Sequence, residues 1–144
     1  MQIDETDRHI LKALSDDARR SVAELGRQLG LARSTVQARL ERMERAGIIE
    51  GYTLRLGAAA RPAVRATVLL TLEPRSEPEA LKRLSAMTEV DAVHTTSGRY
   101  DLMVQMSSAT TEAINDALDR IVAARGVRST ESLIHLSTKL DRRG

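Results

Sequence analysis

Two groups of residues in this chain have types and spacings that can do chemistry: the consecutive Ser97-Gly98-Arg99-Tyr100-Asp101, and a set of arginines gathered between positions 18 and 45. Gly98 lies between two β-prone runs, where glycine tolerates positive φ and leaves its backbone open to close approach. Beside it, Asp101 can hold a cationic amine, Tyr100 offers a ring and a hydroxyl, and the amides of Gly98 and Arg99 can receive a carboxylate. That combination suits a free α-amino acid. The same residues also suit a plain hairpin, with Gly98 and Asp101 serving turn geometry and Tyr100 packing at a sheet edge. The tyrosine is conspicuous because the chain has two Tyr and no Phe or Trp, so its core must be aliphatic.

The arginines form the second group. Seven of them (Arg19, Arg20, Arg27, Arg33, Arg39, Arg42, Arg45) face three glutamates between residues 18 and 45, a local balance of +4. From residue 64 onward, eleven basic residues cancel eleven acidic ones. A basic excess confined to one end is the footprint of a polyanion-binding surface, although a solvated helical face can carry the same charge. Val36, Leu40 and Met43 recur at helical spacing. Rotation of about 100° per residue then points Ser34, Ala38, Glu41, Arg42 and Arg45 away from the core, with Thr35, Gln37 and Arg39 on the flanks. Gln and Arg make bidentate contacts to adenine and guanine edges, and Ser and Thr bond to bases or phosphates. With Arg33 from the same basic run, these residues are the candidate DNA surface. Arg19 and Arg20 read as phosphate contacts or as ordinary solvated arginines.

Catalytic sets are missing. His9, His94 and His135 fall on different expected elements, and no pair has a metal-ligand spacing such as His-x-x-x-His. There is no Gly-x-Ser-x-Gly elbow and no phosphate-cradling glycine loop. Neither an enzyme nor a bound cofactor or metal is expected. The absence of cysteine rules out a disulfide framework and a thiolate metal site, and fits a reducing compartment. The first residues are acidic and amphipathic, and no run approaches the ~18 apolar residues of a membrane span. A cytoplasmic protein with no membrane partner is expected.

The elements that must carry these groups fall into two halves. Asp4 caps a first helix bearing Ile10, Leu11 and Leu14. Ser21 and Glu24 form a capping box for a short second helix, with Val22, Leu25 and Leu29, that ends at Gly30. A third helix follows and stops at Gly47. Two short helices so briefly joined must cross steeply, as in a helix-turn-helix. Gly47 to Gly57 reads as a small wing or as the start of an extended linker. Residues 56–63, with their alanines and Pro62, read as the linker between a domain at 1–55 and one at 64–144.

The second half changes period. Val64, Ala66, Val68, Leu70 and Leu72 alternate with Arg65, Thr67, Leu69 and Thr71, as in a strand with one buried face. Ser76 and Glu79 form a capping box for a helix with Ala80, Leu81 and Leu84. Strands over 90–96 and 100–106 flank Gly98. A helix over about 111–125 buries Ile114, Leu118, Ile121 and Val122, and a last strand runs over about 128–138. The order β-α-β-β-α-β is the ferredoxin-like pattern, and the fold class is α+β. Such a sheet has helices on one face only, and Leu69 and Met103 on the other suggest a partner sheet and so a homodimer.

Together, "IDETDRHILKAL" (Ile3 to Leu14), "VAELGRQLGLARSTVQARLERMERAGIIEGYT" (Val22 to Thr53) and "SGRYDLMV" (Ser97 to Val104), with its Gly-x-Tyr-Asp, resemble the Lrp/AsnC, or feast/famine, transcription factors over nearly the whole chain. The resemblance implies an N-terminal, winged helix-turn-helix domain that binds a double-stranded DNA operator, a linker, and a C-terminal RAM domain that binds an effector, usually an amino acid. It implies dimers formed through facing sheets that often assemble into octamers. It places Gly98, Tyr100 and Asp101 at the effector site, with Arg99 and Leu102 as neighbours. Two positions depart from the family's habit. Ala32 stands where the recognition helix commonly has a capping residue, and Arg99 puts a long cation at the variable position of the turn.

Overall fold

The computed structural model describes residues 2–140, so Met1 and residues 141–144 of the expected domains lie outside the described residues. Its contacts divide the chain into two compact units that meet between Arg55 and Leu56.

The N-terminal unit is built from α1 (Glu5–Asp16), α2 (Val22–Leu29) and α3 (Arg33–Arg45). The Asp4 carboxylate accepts the Asp7 amide at 2.8 Å while the Asp7 carboxylate accepts that of Asp4 at 3.2 Å, closing the first turn of α1 from both sides. Ser21 and Glu24 form the expected reciprocal box on α2. α3 starts behind Ala32, whose side chain supplies no cap. Ile10, Ala13 and Leu14 of α1, Leu25 of α2, and Val36, Leu40 and Met43 of α3 form the core. The connection between α2 and α3 is tight because Gly26 has no side chain: a Cβ there would sit 2.8 Å from the Leu31 carbonyl oxygen. Residues 50–57 form neither helix nor strand. One short 3-10 turn follows at Ala58–Ala60.

The C-terminal unit contains β1 (Val64–Leu72), α4 (Glu77–Ser85), β2 (Val90–Thr95), β3 (Leu102–Ser108), α5 (Thr111–Val122) and β4 (Val127–Ile134). Its strands lie in the order β2-β3-β1-β4, every neighbouring pair antiparallel. Ala66, Val68, Leu70 and Leu72 join Leu102, Val104 and Met106 on the face that packs against Ala80 and Leu84 of α4 and Ile114, Ala117 and Ile121 of α5. On the opposite face Leu69 stands directly across from Met103, both half-buried, and Thr67 from the exposed Leu133.

Four expectations are corrected. The Ser76–Glu79 box is not formed: Ser76 has helical backbone angles and makes no side-chain cap bond, and its side chain is pressed against Gly126, where an added Cβ would lie 2.5 Å from that of Ser76. α5 ends at Val122, which is exposed, while Ala117 takes the core position between Ile114 and Ile121. β3 starts at Leu102 because Tyr100 and Asp101 are used in the preceding turn. β4 ends at Ile134; its register with β1 would bring Thr138 opposite Pro62, which has no N–H to give.

Candidate functional site

α3 presents the candidate DNA surface. Burial of Val36, Leu40 and Met43 fixes the rotation of the helix and leaves Arg33, Ser34, Thr35, Gln37 and Ala38 exposed. Arg33 and Arg45 hold no ion pair among the described residues. The Gln37 amide donates to Glu41 one turn on, at 2.8 Å, which orients it along the helix. Arg19 is exposed, whereas Arg20 is half-buried and donates to the Gln28 side chain at 2.6 Å, bracing α2.

Arg42 is exposed and Arg39 half-buried, as the helical rotation places them, but both are engaged by carboxylates of α1. Asp7 of α1, a carboxylate with no exposed surface, takes Arg39 at 2.8 Å on one oxygen and Arg42 at 2.8 Å on the other. Asp4 takes Arg39 at 2.6 Å as well. The hydrogen bond to Arg39 holds the Asp4 carboxyl below its ordinary value, and the Asp4 and Asp7 carboxylates push the Arg39 guanidinium up. These two arginines tie α1 to α3. Asp7 is the residue that charge counting passes over. Its signal is position: it falls on the Ile10 and Leu14 stripe of α1, where an acid must be paired if it is to be buried.

The second candidate is the turn between β2 and β3. Gly98 has φ +108°, with open space where a Cβ would be, so conformation alone demands glycine there. The turn is closed at its base by the Thr96 amide donating to the Asp101 carbonyl at 3.0 Å and by the Thr96 hydroxyl donating to the Tyr100 carbonyl at 2.7 Å. The Arg99 guanidinium lies 5.2 Å from the centre of the Tyr100 ring, a cation–π distance. The Tyr100 hydroxyl donates to the Glu131 carboxylate of β4, and that bond raises its pKa.

Asp101 anchors the turn to β1. Its amide donates to the Leu70 carbonyl at 2.8 Å and its carboxylate accepts the Leu72 amide at 2.7 Å. The same side chain borders a cavity of about 290 Å³ with Glu73, Arg75, Glu77 and Arg128, a lining of both charge signs. Leu102, expected as a neighbour of the effector, is fully buried in the sheet core and offers no side-chain surface. Among the described residues no group of three or more His, Cys, Asp or Glu is placed to hold a metal ion. No helix among them is long and apolar enough to cross a membrane.

Comparison with known proteins agrees with both halves of this geometry. The model of the AsnC-type helix-turn-helix domain matches residues 3–44, and that of the Lrp/AsnC ligand binding domain matches residues 65–144. The transcriptional regulator LrpA of Mycobacterium tuberculosis is 33% identical over 136 residues, which are 92% of this chain and 89% of that protein. The structure of E. coli AsnC is similar with a TM-score of 0.90 at 30% identity, covering 99% of this chain and 98% of that one. A Neisseria meningitidis transcriptional regulator solved with L-methionine shares the fold at a TM-score of 0.87 and 23% identity, over 97% of this chain and 94% of its own.

Proposed function

The chain belongs to the Lrp/AsnC family of DNA-binding transcriptional regulators, which are not enzymes, and we propose on that footing that it is a cytoplasmic regulator whose grip on an operator is set by an amino acid. The observation that carries the DNA half is the exposed start of α3, where Arg33, Ser34, Thr35, Gln37 and Ala38 stand on a helix fixed to α1 by paired charges. Such a helix enters the major groove with its N-terminal residues nearest the base edges. Arg19 supplies a phosphate contact ahead of α2.

The effector half rests on the turn of Gly98, Arg99, Tyr100 and Asp101, with a carboxylate, a guanidinium and a phenol within one loop. A zwitterion finds both of its partners there. The L-methionine bound by the Neisseria meningitidis regulator is a ligand of this chemical class. The helix-free sheet face, with Leu69, Met103 and Leu133, serves as the homodimer surface, and dimers assemble further toward an octamer.

The test uses a duplex recovered by in vitro selection against the full chain, with binding followed by fluorescence anisotropy over a salt series and in the presence of each of the common amino acids. Sequence-specific binding that weakens steeply with salt is expected, together with a change of affinity or of sedimentation caused by at least one amino acid. Failure to recover a preferred duplex refutes the operator assignment. If DNA is bound but no amino acid changes melting, affinity or assembly, the effector assignment falls.

A further inference from the structure

Four side chains that join α1 to α3 form an electrically closed set: the carboxylates of Asp4 and Asp7 and the guanidiniums of Arg39 and Arg42. Asp7 is completely buried, Arg39 is three-quarters buried and Arg42 keeps 45% of its side chain exposed. Two of the seven arginines that made the 18–45 segment look basic are therefore neutralised before any DNA arrives. Among the described residues the cations of α3 without an ion pair are Arg33 and Arg45, at its two ends. Between them the exposed side chains are Ser34, Thr35, Ala38, Glu44 and the Gln37–Glu41 pair, together with Arg42, which Asp7 holds.

This arrangement has a consequence for discrimination. Attraction between arginine and phosphate does not depend on sequence and supplies most non-specific affinity, whereas base-edge contacts carry the specificity. A cation held by a buried carboxylate 2.8 Å away gives little to phosphate. We propose that Asp7 is a specificity-determining residue: by holding the Arg42 guanidinium, and with Asp4 that of Arg39, it keeps both out of phosphate contact, so that the middle of α3 engages DNA through Ser34, Thr35, Gln37 and Ala38 and non-specific binding is held down. The proposal rests on DNA binding by α3 and asks more of it, namely that a residue that never touches DNA sets the ratio between right and wrong sequences.

Asp7→Asn keeps the shape and a carbonyl acceptor while removing the charge. Arg39 retains Asp4, so one cation, Arg42, is released. One added phosphate contact steepens the slope of log K against log salt by about 0.9. For a random-sequence duplex, the ratio of affinities at 50 and 200 mM salt then widens by about 3.5-fold, and the preference for the selected duplex over the random one shrinks.

Two companion variants separate this from a packing role. Arg42→Gln in the otherwise unchanged chain leaves the slope where it was, because that cation is already committed; in the Asp7→Asn background it restores the original slope. Glu5→Gln, an equal loss of charge from the exposed start of α1, does not reproduce the steepening. The proposal is overturned if Arg42→Gln alone flattens the slope by about 0.9. It is equally overturned if Asp7→Asn lowers affinity for both duplexes together at unchanged slope. Should the unaltered chain show no preference for any duplex, DNA recognition by α3 fails first, a result distinct from either of these.

Discussion

Replacing Asp101 by alanine separates a ligand group from a structural one. β1 and β3 pair regularly as far as Leu70 and Leu102, and the register of β1 with β4 shifts between Thr71 and Leu72. At the end of the ladder the Leu72 amide has no strand residue of β3 opposite it, and the Asp101 carboxylate accepts it at 2.7 Å. Leu72 is only 9% exposed, so water does not readily take over that bond. A hydrogen bond to a charged acceptor contributes about 1.5–3 kcal/mol, and a stranded buried amide costs about 1–3 kcal/mol. Asp101→Ala is therefore expected to destabilise the C-terminal unit by about 2 kcal/mol. For a unit of this size each kcal/mol moves the melting temperature by about 4–8 °C, giving a drop of about 8–16 °C. Asp101→Asn keeps an oxygen acceptor and is expected to lose less than half as much. Differential scanning calorimetry of the full chain at matched concentration reads both. An alanine variant as stable as the parent would refute the anchoring role. If the asparagine variant melts like the parent but no longer responds to an amino acid that shifts the parent, the carboxylate charge is a ligand group as well.

Three further outcomes are expected. Ala32 has extended angles, φ −63° and ψ 143°, that fit a helix cap, so Ala32→Ser supplies the missing acceptor at the start of α3. It should stabilise the N-terminal unit by about 1 kcal/mol in urea unfolding, and no gain would mean the helix end is satisfied otherwise. Gly26→Ala improves helix propensity by about 0.8–1.0 kcal/mol. Because its Cβ would meet the Leu31 oxygen at 2.8 Å, it is expected to lower stability and DNA affinity instead, and a stabilised variant would contradict the close approach. Asp4 and Glu24 have carboxyls held below their ordinary values, Asp4 chiefly by its bond from Arg39 and Glu24 chiefly by the Ser21 amide. A depressed folded-state pKa adds stability that is complete above the unfolded value and is lost as pH falls through the folded one. Helical circular dichroism should thus hold steady at neutral pH and decline below about pH 4, and a signal that strengthens on acidification would oppose that sign.

Sequence patterns disclose the elements well where one local interaction decides. Ser21 and Glu24 make their box because both residues belong to the same turn. The alternation over Val64 to Leu72 survives intact because one face is covered by helices and the other is not. Ser76 and Glu79 have the same spacing as the first pair and form no box: Ser76 has helical rather than extended angles, and it packs closely against Gly126, fifty residues away in sequence. The candidate sites divide along the same line. The glycine in the β2–β3 turn and the arginines of α3 are visible as letters. That Arg39 and Arg42 are spoken for, and that Asp101 serves the backbone of β1, depends on contacts across |i−j| separations of 29 to 35, to which helical and strand periodicity are blind.

The pairing of β1 with β4, in which Ala66 lies opposite Ile134, has a consequence during synthesis. All the core contacts of the N-terminal unit lie within its first fifty residues, between Ile10 and Ile49. That unit can collapse soon after it clears the ribosome. β1, by contrast, emerges with both of its edges unpaired and waits first for β3 and then for β4, which arrives several seconds later at about 5–20 residues per second. For that interval a nascent chain carries a formed helix-turn-helix beside an incomplete sheet, so mutations that slow sheet closure should expose the nascent chain to aggregation and proteolysis without touching its recognition helix.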